Sequence, residues 1–230
     1  MADPRIQRSP GASAGAGIRP ARKLGRPPQV KAHDTRRRLL DIARGVYAER
    51  GYEAATNKEI ADLAFMTTAA LYYHFPSKRD LYLAVHDDAR DQVYTRFEEV
   101  LDTSQSFADQ FLTILMATHD LNEEDPTLAQ FLAAARTDMK RRMDLQQALL
   151  ERASHRDQFF ERIIDAGVRS GEIAPENRAL VQVFITAVIA GMTDALSDDQ
   201  SIHLRAIEAV RAALAGDLVQ PPKTRRKRAS

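Results

Sequence analysis

The stretch from Thr56 to Phe75, TNKEIADLAFMTTAALYYHF, leaves a chain few ways to fold. Two short helical patterns, Asn57 to Ala64 and Thr67 to Tyr73, are separated by a tight break, and a hydroxyl stands at the start of each. Thr56 with Glu59 three residues on makes a capping box, in which the threonine oxygen and the glutamate each satisfy an amide at the helix start. Thr67 offers a second N-cap. Ile60, Ala61, Ala64, Met66, Leu71 and Phe75 fall on facing sides if the two helices cross steeply, and Ala61 is small where the backbones must approach. The spacing predicts a helix-turn-helix. Its other face carries Lys58, Thr67, Thr68, Tyr72, Tyr73 and His74, the donors, hydroxyls and rings that meet phosphates and base edges in a major groove.

The flanking residues extend this unit. Asp34 or Thr35 is read as the cap of a first helix running to about Arg50, with Leu39, Leu40, Ala43, Val46 and Tyr47 on one face and Gly51 as its stop. Ser77 caps a long helix, with Asp80 in the first turn where it complements the dipole. Leu81, Val85, Ala89, Val93, Phe97 and Val100 keep helical spacing along it, so it joins a head to a body.

The run from Thr67 to Leu81, TTAALYYHFPSKRDL, resembles the signature S-x-x-x-L-Y-x-H-F-x-x-K-x-x-L of the TetR/AcrR transcriptional regulators. The resemblance is specific from Thr35 to Val85 and beyond that rests on an all-helical body of suitable length. It implies an all-α fold of about nine helices, with a three-helix DNA-binding head and a helical effector-binding and dimerisation domain. Carried over position by position, Tyr72, His74 and Lys78 become phosphate-contacting or groove-positioning residues. Thr56, Lys58, Thr67, Thr68, Ala69 and Tyr73 complete the expected DNA-binding set; the alternative for Tyr73 and His74 is packing against the first helix. One position departs from the pattern, for Phe65 stands where the turn commonly has glycine. If that turn requires positive φ, a bulky residue costs about 1–2 kcal/mol.

Charge is unevenly placed. Residues 1 to 38 carry ten Lys/Arg against Asp3 and Asp34, a net +8, and residues 217 to 230 carry +4; with a total of +1 the rest of the chain carries −11. A basic end on an acidic body suits a protein with one DNA-facing end, and also suits ordinary solubilising tails. Residues 1 to 32 are poor in large apolar side chains and are expected to be a disordered basic arm. Within it, Lys23-Leu24-Gly25-Arg26-Pro27-Pro28 resembles the G-R-P core of an AT-hook, so Arg22, Lys23 and Arg26 form either a minor-groove arm or a solvated linker. The expected divisions are then a head over 33–80, a helical domain over 81–216 and a basic tail over 217–230.

The body reads as helices near 105–121, 126–141, 145–170, 177–196 and 199–215, with Gly171 and Gly216 as stops and no hairpin signal. Ala179 to Thr193 contains no charge and is apolar around its whole circumference, the pattern of a helix buried on all sides. It is either a central core helix or half of a subunit interface, and the resemblance implies a homodimer joined by the last two helices. Leu180, Phe184, Val188, Met192, Ile202 and Val210 are the expected interface residues. Phe97, Phe107, Phe111, Leu115, Phe131, Met139 and Phe159 are bulky enough to line an effector pocket or to be plain core.

The chain has no cysteine, which excludes disulfides, thiolate metal sites and a Cys nucleophile. His86-Asp87-Asp88 and His119-Asp120 lack a metal or acid/base spacing and read as solvated helix ends; no P-loop, nucleophile elbow or dinucleotide fingerprint is present. Neither catalysis nor a cofactor nor a metal is expected. No secretory core or membrane-spanning run appears, so a cytoplasmic protein is expected. The expected function is a sequence-specific DNA-binding regulator, a homodimeric repressor released from a palindromic operator by a small apolar or amphipathic effector. The alternative is a non-specific nucleoid or architectural DNA-binding protein.

Overall fold

A computed structural model describes residues 28–152, 154–194 and 200–219, and within them the chain is all helix and connecting turn. The expected minor-groove residues Arg22, Lys23 and Arg26, and the basic tail from 220 onward, lie outside the described residues. Ten α-helices follow one another: α1 (Pro28–Ala54), α2 (Asn57–Leu63), α3 (Thr68–His74), α4 (Lys78–Val100), α5 (Phe107–Glu124), α6 (Pro126–Arg141), α7 (Met143–Glu151), α8 (Ser154–Ser170), α9 (Arg178–Asp194) and α10 (Gln200–Ala215). Among the described residues, no helix is long and apolar enough to cross a membrane.

Helix α1 corrects the sequence reading at its start. It reaches back to Pro28, so Asp34 and Thr35 lie inside the helix rather than capping it. Proline tolerates a first helical position because the N–H it lacks would have no intrahelical partner there. At the other end Gly51 breaks the helix as expected, with φ 70° and ψ 177°. A second correction concerns 145–170, which is two helices, α7 and α8, with Arg152 as the C-cap of α7. Gly171 and Gly216 both take positive φ at the stops assigned to them.

The apolar residues gather in two clusters. In the first, Leu39, Ala43 and Tyr47 of α1 meet Ile60, Ala61, Leu71 and Phe75 of the helix-turn-helix, and also Leu128, Phe131 and Ala135 of α6 and Leu145 of α7. Tyr82 is the hinge pin of this cluster: its ring sits edge-on to Tyr47 and to Tyr52, each at 4.9 Å, and 5.5 Å from Phe131. Such edge-to-face pairs each add about 0.5–1.5 kcal/mol beyond area burial. The second cluster joins Phe97 of α4 to Phe111 and Leu115 of α5, Phe159 and Ile164 of α8, Ile185 and Met192 of α9 and Ile207 of α10. Helix α4 contributes Leu81, Tyr82 and Val85 to one cluster and Phe97 to the other, so it is the beam between head and body.

Candidate nucleic-acid interface and internal cavity

The helix-turn-helix is set by two caps. The Thr56 oxygen accepts from the Glu59 N–H and the Thr67 oxygen from the Ala70 N–H, each at 3.1 Å. The reciprocal half of the capping box is replaced, for the Glu59 carboxylate pairs with Arg50 of α1 at 2.9 Å. Ile60, Ala61 and Leu71 are fully buried between α2, α3 and α1. Phe65 occupies the turn with φ 55°, in the left-handed region. Met66 N–H nevertheless bonds the Ala61 carbonyl at 3.0 Å, so the turn keeps the geometry a glycine would take, with a phenylalanine carrying the strain.

Burying one side of α2 and α3 leaves the predicted contact residues on the other. Thr56, Lys58, Thr67 and Ala69 are exposed, and Thr68 and His74 are half-buried. Tyr72 is 46% exposed and Tyr73 87%, with the His74 ring edge-on to Tyr73 at 5.5 Å. Phe65 in the turn is 88% exposed, with the Arg38 guanidinium 5.6 Å from its ring centre. Lys78 is more committed than expected. Its ammonium donates to the Glu53 carbonyl at 3.1 Å and lies 4.6 Å from the centre of the Tyr52 ring, and burial lowers its pKa. An ammonium has three donors, so two remain for an outside acceptor.

Behind this surface the head is pinned to the body through α6. Asp138, buried, accepts from the Tyr52 N–H and the Tyr82 hydroxyl, both at 2.9 Å. A Cβ on Gly51 would meet the same carboxylate at an ordinary 3.4 Å, so it is the positive φ that calls for glycine there. Burial and the Asp138 charge push the Tyr82 hydroxyl pKa upward, which keeps it a donor. Arg44 of α1, also buried, donates to Thr127 at 2.9 Å and pairs with Asp125 at the α5–α6 junction.

A cavity of about 250 Å3 opens between α4, α5, α6, α7, α8 and α9. Of the expected pocket residues only Phe97 and Met139 line it. Phe107, Phe111, Leu115, Phe131 and Phe159 are buried in the two clusters instead, where their size fills space between helices rather than leaving it. The wall has polar members, among them His86, read from the sequence as a solvated helix end, and Arg90, Thr118 and Arg136, which sequence reasoning passed over. His86 is therefore not a solvated helix end. Neither is His119: it is buried and its Nδ1 lies 3.1 Å from Nδ1 of buried His203 in α10.

Helix α9 divides the expected interface set. Leu180 is 68% exposed and Ile202 of α10 42%, whereas Phe184, Val188 and Val210 are half-buried against the second cluster. Met192 is corrected, being 2% exposed and turned into the subunit's own core. The helix is apolar on both faces: Ile185 and Met192 point inward, while Leu180, Val183, Ala187 and Gly191 form an outward stripe.

Residues 39–85 match the family model described as bacterial regulatory proteins, tetR family. Over 140 residues the chain is 30% identical to the HTH-type transcriptional repressor KstR2 of Mycolicibacterium smegmatis, covering 60% of this chain and 67% of that relative. It is 24% identical over 193 residues to the HTH-type transcriptional regulator UidR of Escherichia coli K12, covering 83% and 96%. The fold superposes on that of the transcriptional regulator FadR from Bacillus subtilis, solved in complex with stearoyl-CoA, with a TM-score of 0.68 at 21% identity, covering 80% of this chain and 99% of that one.

Proposed function

Because the chain belongs to the tetR family of bacterial regulatory proteins, we propose that it is a homodimeric repressor that reads a palindromic operator and is released from it by a small amphipathic effector. The observation that carries this reading is the capped α3, which buries Leu71 and turns Thr67, Ala69, Tyr72 and Tyr73 outward. Hydroxyls at the start of such a helix and rings near its end are what base edges and phosphates meet. Residues 33–80 form the DNA-binding head in this reading, and 81–216 the effector and dimerisation domain.

The outward stripe of α9 and the exposed Ile202 of α10 supply the dimer contact. Two heads then enter successive major grooves about 34–36 Å apart, or at a longer related spacing. The effector occupies the cavity beside α4 and α6. Helix α4 belongs to both apolar clusters, and α6 grips Tyr52 through Asp138, so a guest that moves either helix moves the head. Release requires only that the effector bind the spread arrangement more tightly than the operator-bound one. The stearoyl-CoA held by FadR supports an amphipathic guest.

Selection of genomic fragments by the purified protein at near-physiological salt tests this, with a Tyr72→Ala/Lys78→Ala double variant alongside. A palindromic site recovered by the wild type alone is the expected result. Equal, sequence-blind recovery by both proteins would mean non-specific DNA binding and would end the operator reading.

A further inference from the structure

The turn of the helix-turn-helix carries a side chain that the fold does not use. Phe65 holds φ 55° while its ring stands in solvent, so a costly backbone conformation comes with no burial. The turn closes through backbone alone, the Phe65 N–H donating to the Asp62 carbonyl at 3.1 Å and the Met66 N–H to the Ala61 carbonyl at 3.0 Å, and a glycine would close it as well. Strain kept where the fold does not need it marks a residue held for a role outside the fold. What the ring does meet is Arg38 of α1, whose guanidinium lies 5.6 Å from its centre. Three consecutive arginines of α1 thus take three directions: Arg36 lies over the Phe75 ring at 5.1 Å, Arg37 pairs with Asp88 of α4 at 3.4 Å, and Arg38, exposed, goes to the turn.

Placement gives that role its site. Thr67, two residues after Phe65, caps α3, and the exposed Thr56 and Lys58 stand at the start of α2. When such a motif docks, its first helix crosses the DNA backbone and its second enters the major groove by its amino end. The turn between them therefore lies over the rim of the groove, where sugars and phosphates pass. We propose that Phe65 and Arg38 make a DNA-backbone contact particular to this turn, the ring packing on a deoxyribose and holding the guanidinium against the neighbouring phosphate. This rests on the operator reading above and adds two residues to it. A guanidinium set over a ring is attracted through its face, while its five N–H groups lie in its own plane, so Arg38 keeps donors for phosphate oxygens. Fixing a long side chain before binding also reduces the ordering that binding would otherwise require. A contact to sugar and phosphate carries no base information, so it strengthens binding to every duplex alike.

The experiment is fluorescence anisotropy of the full-length protein with the selected operator and with a random duplex of equal length, from about 50 to 200 mM salt, using Phe65→Gly, Phe65→Tyr, Arg38→Gln and the Phe65→Gly/Arg38→Gln double variant. Phe65→Gly should bind both duplexes at least about threefold more weakly, and Phe65→Tyr, which keeps a ring, should bind them as wild type does. Arg38→Gln should weaken both and lower the slope of log affinity against log salt by about one. Adding Phe65→Gly to it should cost little more, because the two residues act as one contact. Thermal melts run alongside separate this from folding: affinity lost by a glycine variant that melts no earlier than wild type is not lost to a damaged head. Undiminished binding of both duplexes by Phe65→Gly, or an unchanged salt slope in Arg38→Gln, would overturn the proposal. Loss confined to the operator would overturn it too, by making Phe65 a reader of bases. The operator reading fails separately: a wild type without a preferred site, whose random-duplex binding still falls in Phe65→Gly and Arg38→Gln, refutes that reading and supports the contact, and a wild type that binds neither duplex ends both.

Discussion

Asp138 of α6 accepts a hydrogen bond from the backbone N–H of Tyr52 at 2.9 Å, and with the Arg142–Glu53 ion pair it fixes the end of α1 to the body. Because the same carboxylate oxygen also accepts from the Tyr82 hydroxyl, its loss strands two buried donors at once. Asp138→Ala should cost about 2–4 kcal/mol, against about 1 kcal/mol for Tyr82→Phe, which removes a single donor. Urea unfolding of both variants and of their double measures this. The double should cost clearly less than the sum of the singles, since residues in one network do not add; strict additivity would show that the two bonds act independently.

Phe65 stands in the left-handed region at φ 55° with its side chain 88% exposed. It is strained without gaining burial. Phe65→Gly removes about 1–2 kcal/mol of strain and returns about 0.5–1 kcal/mol as extra freedom of the unfolded chain, so the protein should gain up to about 1.5 kcal/mol. Phe65→Ala keeps the strain and should not gain. Thermal melts of the two variants decide it, and a glycine variant less stable than wild type would place real stabilisation in the Arg38 contact with the ring.

What could be read from the sequence was local, and what could not was tertiary. The caps at Thr56 and Thr67, the break at Gly51 and the α4 positions from Leu81 to Phe97 are set by residues a few positions apart, and all are as expected. Phe107, Phe111, Leu115, Phe131 and Phe159 take the second of the two readings open to them, plain core, because a bulky apolar residue advertises volume whether it lines a space or fills it. His86 and His119 read as solvated helix ends, and Asp138 drew no notice, because a charged or polar residue in a helix reads as solvated. A signal was present. Leu128, Phe131, Ala135 and Asp138 recur at helical spacing, and all four are buried, so Asp138 is a charge on an apolar stripe. Such a residue needs partners, and only the fold shows that they are Tyr52 and Tyr82.

The His119–His203 pair gives stability a pH dependence of definite sign. Burial, and after it the neighbouring His119, lowers the His203 pKa below its ordinary value of 6.5. Above that value both folded and unfolded chains hold the ring neutral, and the pair contributes fully. As pH falls below it the unfolded chain takes up the proton first, so stability declines until pH reaches the lowered folded value. Denaturant midpoints measured from pH 7.5 down to 5 should therefore fall more steeply for wild type than for His203→Leu. Parallel profiles would remove this ring from the account.

The final test separates the two faces of α9. Val183 and Leu180 are each 68% exposed on the outward stripe, while Met192 is 2% exposed and packed in the second cluster. Val183→Glu places a charge where a second subunit would bury it, at a cost of several kcal/mol for an unpaired ion, yet leaves the subunit's own core untouched. It should therefore give a folded monomer by light scattering, with operator affinity reduced because two linked heads bind far more tightly than one. Met192→Ala should do the reverse, losing about 2–5 kcal/mol of fold stability to the space it leaves. Its subunit association at saturating protein concentration should persist. If Val183→Glu stayed a dimer at micromolar concentration, the outward stripe would not be the seam, and the contact would have to be sought on another surface of the body.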